Sequence, residues 1–239
     1  WLLGDDEIEV DGYVWYGRNR SFARSVADPR RGSAGVGWLI DRRLVGRAKD
    51  FSVDVSTFGS CEGFIAVSFR KEGVKLRLIC AYTEPQRDNF KIDETAFVSG
   101  VLNFAGSASA DTHTVLMWDA NIRVGGIQEK GVVFRREGEW DDHGGRAVHF
   151  VDSLDKAGCA IVHGRLCPWN YTFAPPGQQR RSVIDYCIVS ADQLDSVTEA
   201  GVCDREVADV GSDHRAIFAR VDVGVSLDRV RRGCRRGQK

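Results

Sequence analysis

Glu62-Gly63-Phe64-Ile65-Ala66-Val67-Ser68-Phe69-Arg70, then Lys71-Glu72-Gly73, then Val74-Lys75-Leu76-Arg77-Leu78-Ile79-Cys80-Ala81-Tyr82 reads as strand, turn and strand. Both runs are rich in β-branched and aromatic residues, and the three polar residues between them end in glycine, which is the signature of a hairpin. A hairpin joins antiparallel neighbours, and it argues against a chain built from regular βαβ units and a doubly wound parallel sheet.

The rest of the chain extends this pattern. Gly35 to Ile40 reads as a buried strand, and Phe51 to Phe58 alternates apolar and polar residues at strand period. Helical spacing enters at Asp88 to Gly106, where Phe90, Phe97, Val101, Leu102 and Ala105 recur on one side. Thr114 to Trp118 is a further strand, stopping at Asp119. Residues 123–143, rich in glycine and charge, are expected to form a long loop. Gly145 to Gly158 is a second amphipathic helix, with Val148, Val151 and Leu154 on its buried face and Gly158 as its stop. Short strands are expected around Tyr171 to Phe173, Val183 to Val189 and Ala216 to Val223. Residues 1–31 are polar, with Tyr13, Trp15 and Tyr16 as their aromatic residues, and Arg18 to Arg31 reads as a surface loop. Many strands with two inserted helices suit an α+β sandwich of two sheets with helices packed outside.

Length and composition agree with a globular domain. The chain has 239 residues, of which 43% are apolar and 28% charged, enough to bury a substantial core. No apolar run is long enough to span a bilayer, and Trp1-Leu2-Leu3 runs directly into acidic residues, unlike a signal peptide. The 7 cysteines form no C-x-x-C pair, so neither a zinc site nor a disulfide framework is indicated. Cys80, Cys159 and Cys187 lie in apolar segments and are expected to be reduced core residues, as in an intracellular protein. Residues 229–239 hold six positive and no negative charges, which leaves the remainder at −7 against a net charge of −1. A polyanion would therefore bind through a local patch and not through the global field. Residues 225–239 are read as a basic tail or linker after a domain spanning 1–224.

Three polar clusters stand at the ends of apolar runs: Asp119-Ala120-Asn121, Ile184-Asp185-Tyr186 and Ser212-Asp213-His214. Singly, each has an ordinary explanation as a turn or a solvated strand end. Together they supply what phosphate-ester cleavage needs. A carboxylate can aim or deprotonate water, an amide can donate to a phosphate oxygen, and a histidine held protonated by an Asp can neutralise developing charge. Oxygen-donor groups of this kind favour Mg²⁺.

This ordered set resembles the endonuclease/exonuclease/phosphatase superfamily, the DNase-I-like proteins, whose patterns run Gly-Asp-Phe-Asn, Ile/Leu-Asp-Tyr and Ser-Asp-His. Tyr82-Thr83-Glu84-Pro85 is similar to the family's strand-end Tyr-x-x-Pro, and Tyr171-Thr172-Phe173 to its Thr-Phe or Thr-Trp step. The resemblance implies a four-layer α/β/β/α sandwich of two mostly antiparallel sheets. It implies metal-dependent phosphodiester hydrolysis with Mg²⁺ or Mn²⁺. By the same resemblance Asp119 handles the water, Asn121 and Tyr82 contact the phosphate, Asp185 orients His214, and Asp213 supports the metal. Within the superfamily the chain looks most like the endonuclease domain of non-LTR retrotransposons, through Trp1-Leu2, Gly35-Val36-Gly37-Trp38-Leu39 and the arginines at 18, 20, 30 and 31. That likeness implies a monomeric DNA-nicking domain, fused to or followed by a reverse transcriptase and acting in the nucleus. The family's metal-binding Glu and its first strand would fall before Trp1. A phosphomonoesterase, a lipid phosphodiesterase or a catalytically dead fragment remains open, because the same residues serve all members of the fold.

Overall fold

The computed structural model describes residues 8–19, 35–46, 49–54, 63–71, 74–83, 94–109, 111–127, 144–168, 170–174, 181–203 and 212–223. Its centre is a six-stranded sheet in the order β3(Lys49–Asp54), β4(Phe64–Lys71), β5(Val74–Tyr82), β6(Thr112–Asp119), β8(Asp185–Ser190), β7(Cys159–Ile161). All neighbours are antiparallel except the β5–β6 pair. The expected hairpin is the β4–β5 pair, in continuous register from Phe64 opposite Ala81 to Lys71 opposite Val74. The crossover from β5 to its parallel neighbour β6 carries helix α2(Glu94–Gly106), as parallel pairing requires.

Side chains alternate across the sheet, so each strand feeds two cores. Phe64, Ala66, Ile79, Ala81, Leu116, Trp118, Tyr186 and Ile188 face α2 and α3(Gly145–Ala157) in the main core. The opposite face carries two ribbons. Val67, Phe69 and Leu76 pack against Ile40, Trp38 and Tyr16 of the ribbon formed by β1(Tyr13–Asn19) and β2(Gly35–Asp41). Val115, Met117, Cys187 and Val189 pack against Val197, Ala200, Ile217 and Ala219 of β9(Val197–Val202) and β10(Ile217–Val221). The described layers are therefore helices, a mostly antiparallel sheet, and a second β layer. The remaining described helices are α1(Arg42–Val45) and a single 3-10 stretch, Ala191–Ser196.

Local chemistry explains the boundaries. Gly158 takes the left-handed conformation that ends α3 (φ 63°), where a side chain would be strained. Gly106 ends α2 against α3, and a Cβ there would meet the Ala157 carbonyl oxygen at 2.0 Å. The buried face of α3 differs from the expected one. It runs through Ala147, Phe150, Val151 and Leu154, while Val148 is 45% exposed. At 3.6 residues per turn the large Phe150 takes the centre of the stripe and rotates Val148 outward.

Two other readings are corrected. Tyr13–Asn19 is a strand, paired throughout with β2, so Arg18 and Asn19 lie in regular structure and not in a loop. The adjacent aromatic residues Trp15 and Tyr16 stand on opposite faces of it, so both faces carry large rings and no apolar–polar alternation shows. Strands β7 and β9 were also unread, being short runs beside glycine and charged residues. Cys159 and Cys187 are buried free thiols, and Cys80 is partly exposed. Residues 128–143, Phe90, Phe58, the Glu84-Pro85 step, Trp1-Leu2 and the tail lie outside the described residues. Among the described residues no helix is long and apolar enough to cross a membrane.

Candidate active site

Tyr82, Asp119 and Asp185 stand side by side on three adjacent strands. Tyr82 is the register partner of Asp119 across the β5–β6 pair, and Asp119 is the partner of Asp185 across β6–β8. Their neighbours Ala81, Trp118 and Tyr186 belong to the main core, so alternation turns the three side chains towards the second β layer. They lie where β5 and β6 end and β8 begins.

The platform beneath is rigid. Trp118 is 1% exposed and donates from Nε1 to Thr83 Oγ1 at 2.9 Å. The Tyr186 hydroxyl, within a fully buried ring, reaches the carbonyls of Ile122 (2.7 Å) and Val183 (2.9 Å). Trp118 and Tyr186 both pack on Phe150 of α3. Each aromatic side chain thus buries its ring and uses its polar atom to fasten the loops that leave the strands.

His214 approaches from the second layer, just before β10. Its Nδ1 lies 3.1 and 3.0 Å from the two carboxylate oxygens of Asp185. Phe173 holds it there. The two residues pair as an isolated backbone bridge, and their rings meet at 4.9 Å between centroids. The Ala174 N–H also donates to the Asp213 carbonyl, and the Arg215 N–H to that of Thr172. Thr172, fully buried, accepts on its hydroxyl from the N–H groups of Ile184 (3.1 Å) and Asp185 (3.2 Å). A single threonine thereby ties the strand start carrying Asp185 to the segment carrying His214. The motif Tyr171-Thr172-Phe173 was visible in the sequence, but its stapling role was not.

Asn121 sits beside this row in the left-handed conformation (φ 51°), which asparagine tolerates better than most residues. Its backbone N–H donates to Asp119 Oδ1 at 3.3 Å, and its side-chain amide donates to the Thr83 carbonyl at 2.8 Å. It therefore fixes the turn after β6 against the end of β5. Asp213 is exposed at the rim.

The electrostatics follow from this crowding. Burial, then the charge of Asp185, pushes the Asp119 carboxyl up to about 7, with His214 and the Asn121 N–H pulling the other way. Burial draws His214 down, but the hydrogen bond and charge of Asp185, with the charges of Asp119 and Asp213, outweigh it and hold the imidazolium above the ordinary 6.5. Two carboxylates thus share one pocket with one histidine. Asp119, Asp185 and His214 offer ligand atoms that all lie within 4.8 Å of one another, and among the described residues they are the group able to hold a metal ion. The carboxylates suit a hard divalent cation. Asp213, the metal residue implied by the family resemblance, is not in that group.

No protein-family model and no curated protein sequence matches the chain. Solved structures do. The endonuclease domain of TRAS1, a telomere-specific non-LTR retrotransposon, is 17% identical, with 89% of this chain and 81% of that one covered and a TM-score of 0.57. The AP endonuclease LMAP from Leishmania major is 13% identical over 90% of this chain and 72% of that one, with a TM-score of 0.62. The 3′ phosphatase NExo from Neisseria, solved with a product DNA hairpin, is 16% identical over 88% and 80%, with a TM-score of 0.61. The chain shares the fold of these proteins, the DNase-I-like fold of endonucleases, exonucleases and phosphatases.

Proposed function

We propose that this chain, which carries the DNase-I-like fold, hydrolyses phosphodiester bonds and that its substrate is DNA, nicked within a retroelement's replication cycle. The observation that carries the reading is the convergence of Asp119, Asp185 and His214 within 4.8 Å, from segments far apart in sequence.

The roles follow from position. Asp119, half-withdrawn from water and level with Asp185 and His214, is suited to aim or deprotonate an attacking water. His214, oriented by Asp185 through Nδ1, presents its other ring nitrogen as a donor to a phosphoryl oxygen as charge builds there. Tyr82, the strand neighbour of Asp119, and the second amide hydrogen of Asn121 contact the phosphate. The paired acids need a counter-charge, since burial and Asp185 both resist ionisation of Asp119. Mg²⁺ or Mn²⁺ held by Asp119 and Asp185, with Asp213 at the rim, would supply charge neutralisation for the phosphate.

A second reading, phosphomonoester hydrolysis, is favoured by the 3′ phosphatase among the proteins of this fold. Supercoiled plasmid assayed beside a DNA 3′-phosphate and an inositol phosphate separates the two. Nicking with Mg²⁺ supports the endonuclease, and release of inorganic phosphate without nicking replaces it. A reverse-transcriptase frame adjoining the coding sequence is the corresponding genomic expectation.

A further inference from the structure

We infer that Arg123 and Arg181 form a cationic lip that binds a second phosphate of the substrate, flanking the one that is cleaved. This rests on the phosphodiesterase reading for what happens at Asp119 and His214, but binding at the lip is measurable without catalysis.

The lip is attached to the site by a short backbone ladder. Phe173 bridges Ser182 on one side and His214 on the other. Adjacent backbones in such a ladder are about 4.8 Å apart, so Ser182 lies roughly 10 Å from His214 across this patch. Ser182 is 2% exposed, and its hydroxyl accepts from Arg123 Nε at 2.8 Å. A buried, fixed acceptor therefore sets the position of an exposed guanidinium. Only Nε is used in that contact, so it leaves the Nη groups able to donate to a phosphate.

Arg181, next to Ser182, places its guanidinium carbon 4.5 Å from the centroid of the Tyr171 ring. Arg215, next to His214, sits 4.7 Å from the same centroid. Arg215 is also tethered through Nε to the Cys203 carbonyl and through an Nη to the Tyr171 carbonyl. Two like charges are thus kept on one ring. Among the described residues no ion pair joins Arg123 or Arg181 to a carboxylate. Arg123 and Arg181, without an acid partner among the described residues and one short ladder away from His214, are arranged for an anion brought from outside. The acids exclude flanking phosphates from their own side, so a chain of phosphates entering the pocket is steered across Phe173 to this lip.

The test uses the full chain, a fluorescein-labelled single-stranded DNA 20-mer and EDTA, so that no hydrolysis occurs. Anisotropy titrations at several salt concentrations give the affinity and its salt slope. A phosphate contact on single-stranded DNA contributes about 0.7 to that slope. Arg123→Gln and Arg181→Gln are each expected to lower the slope by about that amount and to weaken binding about tenfold. Arg123→Lys, which keeps the charge, is expected to keep the slope. Unchanged slope in both Gln variants overturns the lip, as does a loss that Arg123→Lys fails to restore although circular dichroism shows the variant folded. Lack of hydrolysis by a chain that shows the expected slopes overturns the phosphodiesterase reading and leaves the lip standing.

Discussion

His214 and Asp185 meet through one imidazole nitrogen and both carboxylate oxygens, at 3.1 and 3.0 Å. This contact fixes the ring and raises its proton affinity against the effect of burial. Asp185→Asn removes the charge that raises both His214 and Asp119. Both limbs of the pH profile of kcat/KM are expected to move to lower pH, with kcat down roughly 10²-fold or more. A profile that keeps its position in Asp185→Asn would contradict the coupling. The raised His214 also contributes stability that is present below pH 6.5 and lost as pH rises through its folded value. His214→Ala should therefore cost more stability at pH 6 than at pH 9, measured by urea unfolding.

Asp119 has the same direction of pH dependence, and its buried charge opposes folding once it ionises. Its carboxyl is protonated up to about 7 in the fold but ionises near 3.8 when unfolded. Stability from this group is complete below 3.8 and is lost as pH rises to about 7, because the unfolded chain releases the proton first. Asp119→Asn is expected to raise Tm at pH 8, with the gain shrinking towards pH 4, while activity disappears. A melting temperature lowered by the substitution at pH 8 would argue that Asp119 is a stabilising residue and not a functional one.

Thr172 links the two halves of the site through its hydroxyl. Thr172→Val leaves the N–H groups of Ile184 and Asp185 without that acceptor, at a cost of about 1–3 kcal/mol. Loss of the tie also displaces Asp185 relative to His214, and kcat should fall well beyond the loss explained by unfolding. Unaltered kcat in the folded variant, alongside the expected loss of stability, would show that the tie serves the fold alone.

His113 stands at the far end of β6, 1% exposed, with neither ring nitrogen hydrogen-bonded. Its flanking backbone is clasped by Gln193, which accepts from the Thr114 N–H and donates to the Thr112 carbonyl. Burial lowers its proton affinity, against the charges of Asp192 and Asp222. The unfolded chain therefore binds a proton first as pH falls below 6.5, and stability should drop there. Wild type and His113→Phe compared by thermal unfolding between pH 5 and 8 should converge at high pH and diverge at low pH. Parallel curves would remove His113 from the account.

Periodicity revealed the elements that bury one clear face. The β4–β5 hairpin, β6 and the strand leading from Asp185 carry apolar runs, and α2 carries apolar residues at helical spacing. On α3 two stripes are open to the sequence, one through Val148, and only packing against Trp118 and Tyr186 selects the one through Phe150. The strand Tyr13–Asn19 shows no strand period in the sequence, because Tyr13 to Tyr16 are apolar or aromatic on both faces and Gly17, Arg18 and Asn19 read as a loop, and its order depends on β2. In the site, residue types in order pointed to Asp119, Asp185 and His214, because an acid inside an apolar run is costly and conspicuous. Thr172, Ser182 and Arg123 gave no such signal. Their contacts, formed across 12 to 59 positions of sequence, come from the tertiary fold.

The most direct test is conversion of supercoiled plasmid to nicked circles with Mg²⁺, by the wild-type chain and by Asp119→Ala and His214→Ala variants shown to be folded. Nicking by wild type that vanishes in both variants is the expected result. Full nicking by either variant would show that the pocket joining these residues is not where the phosphate is cleaved.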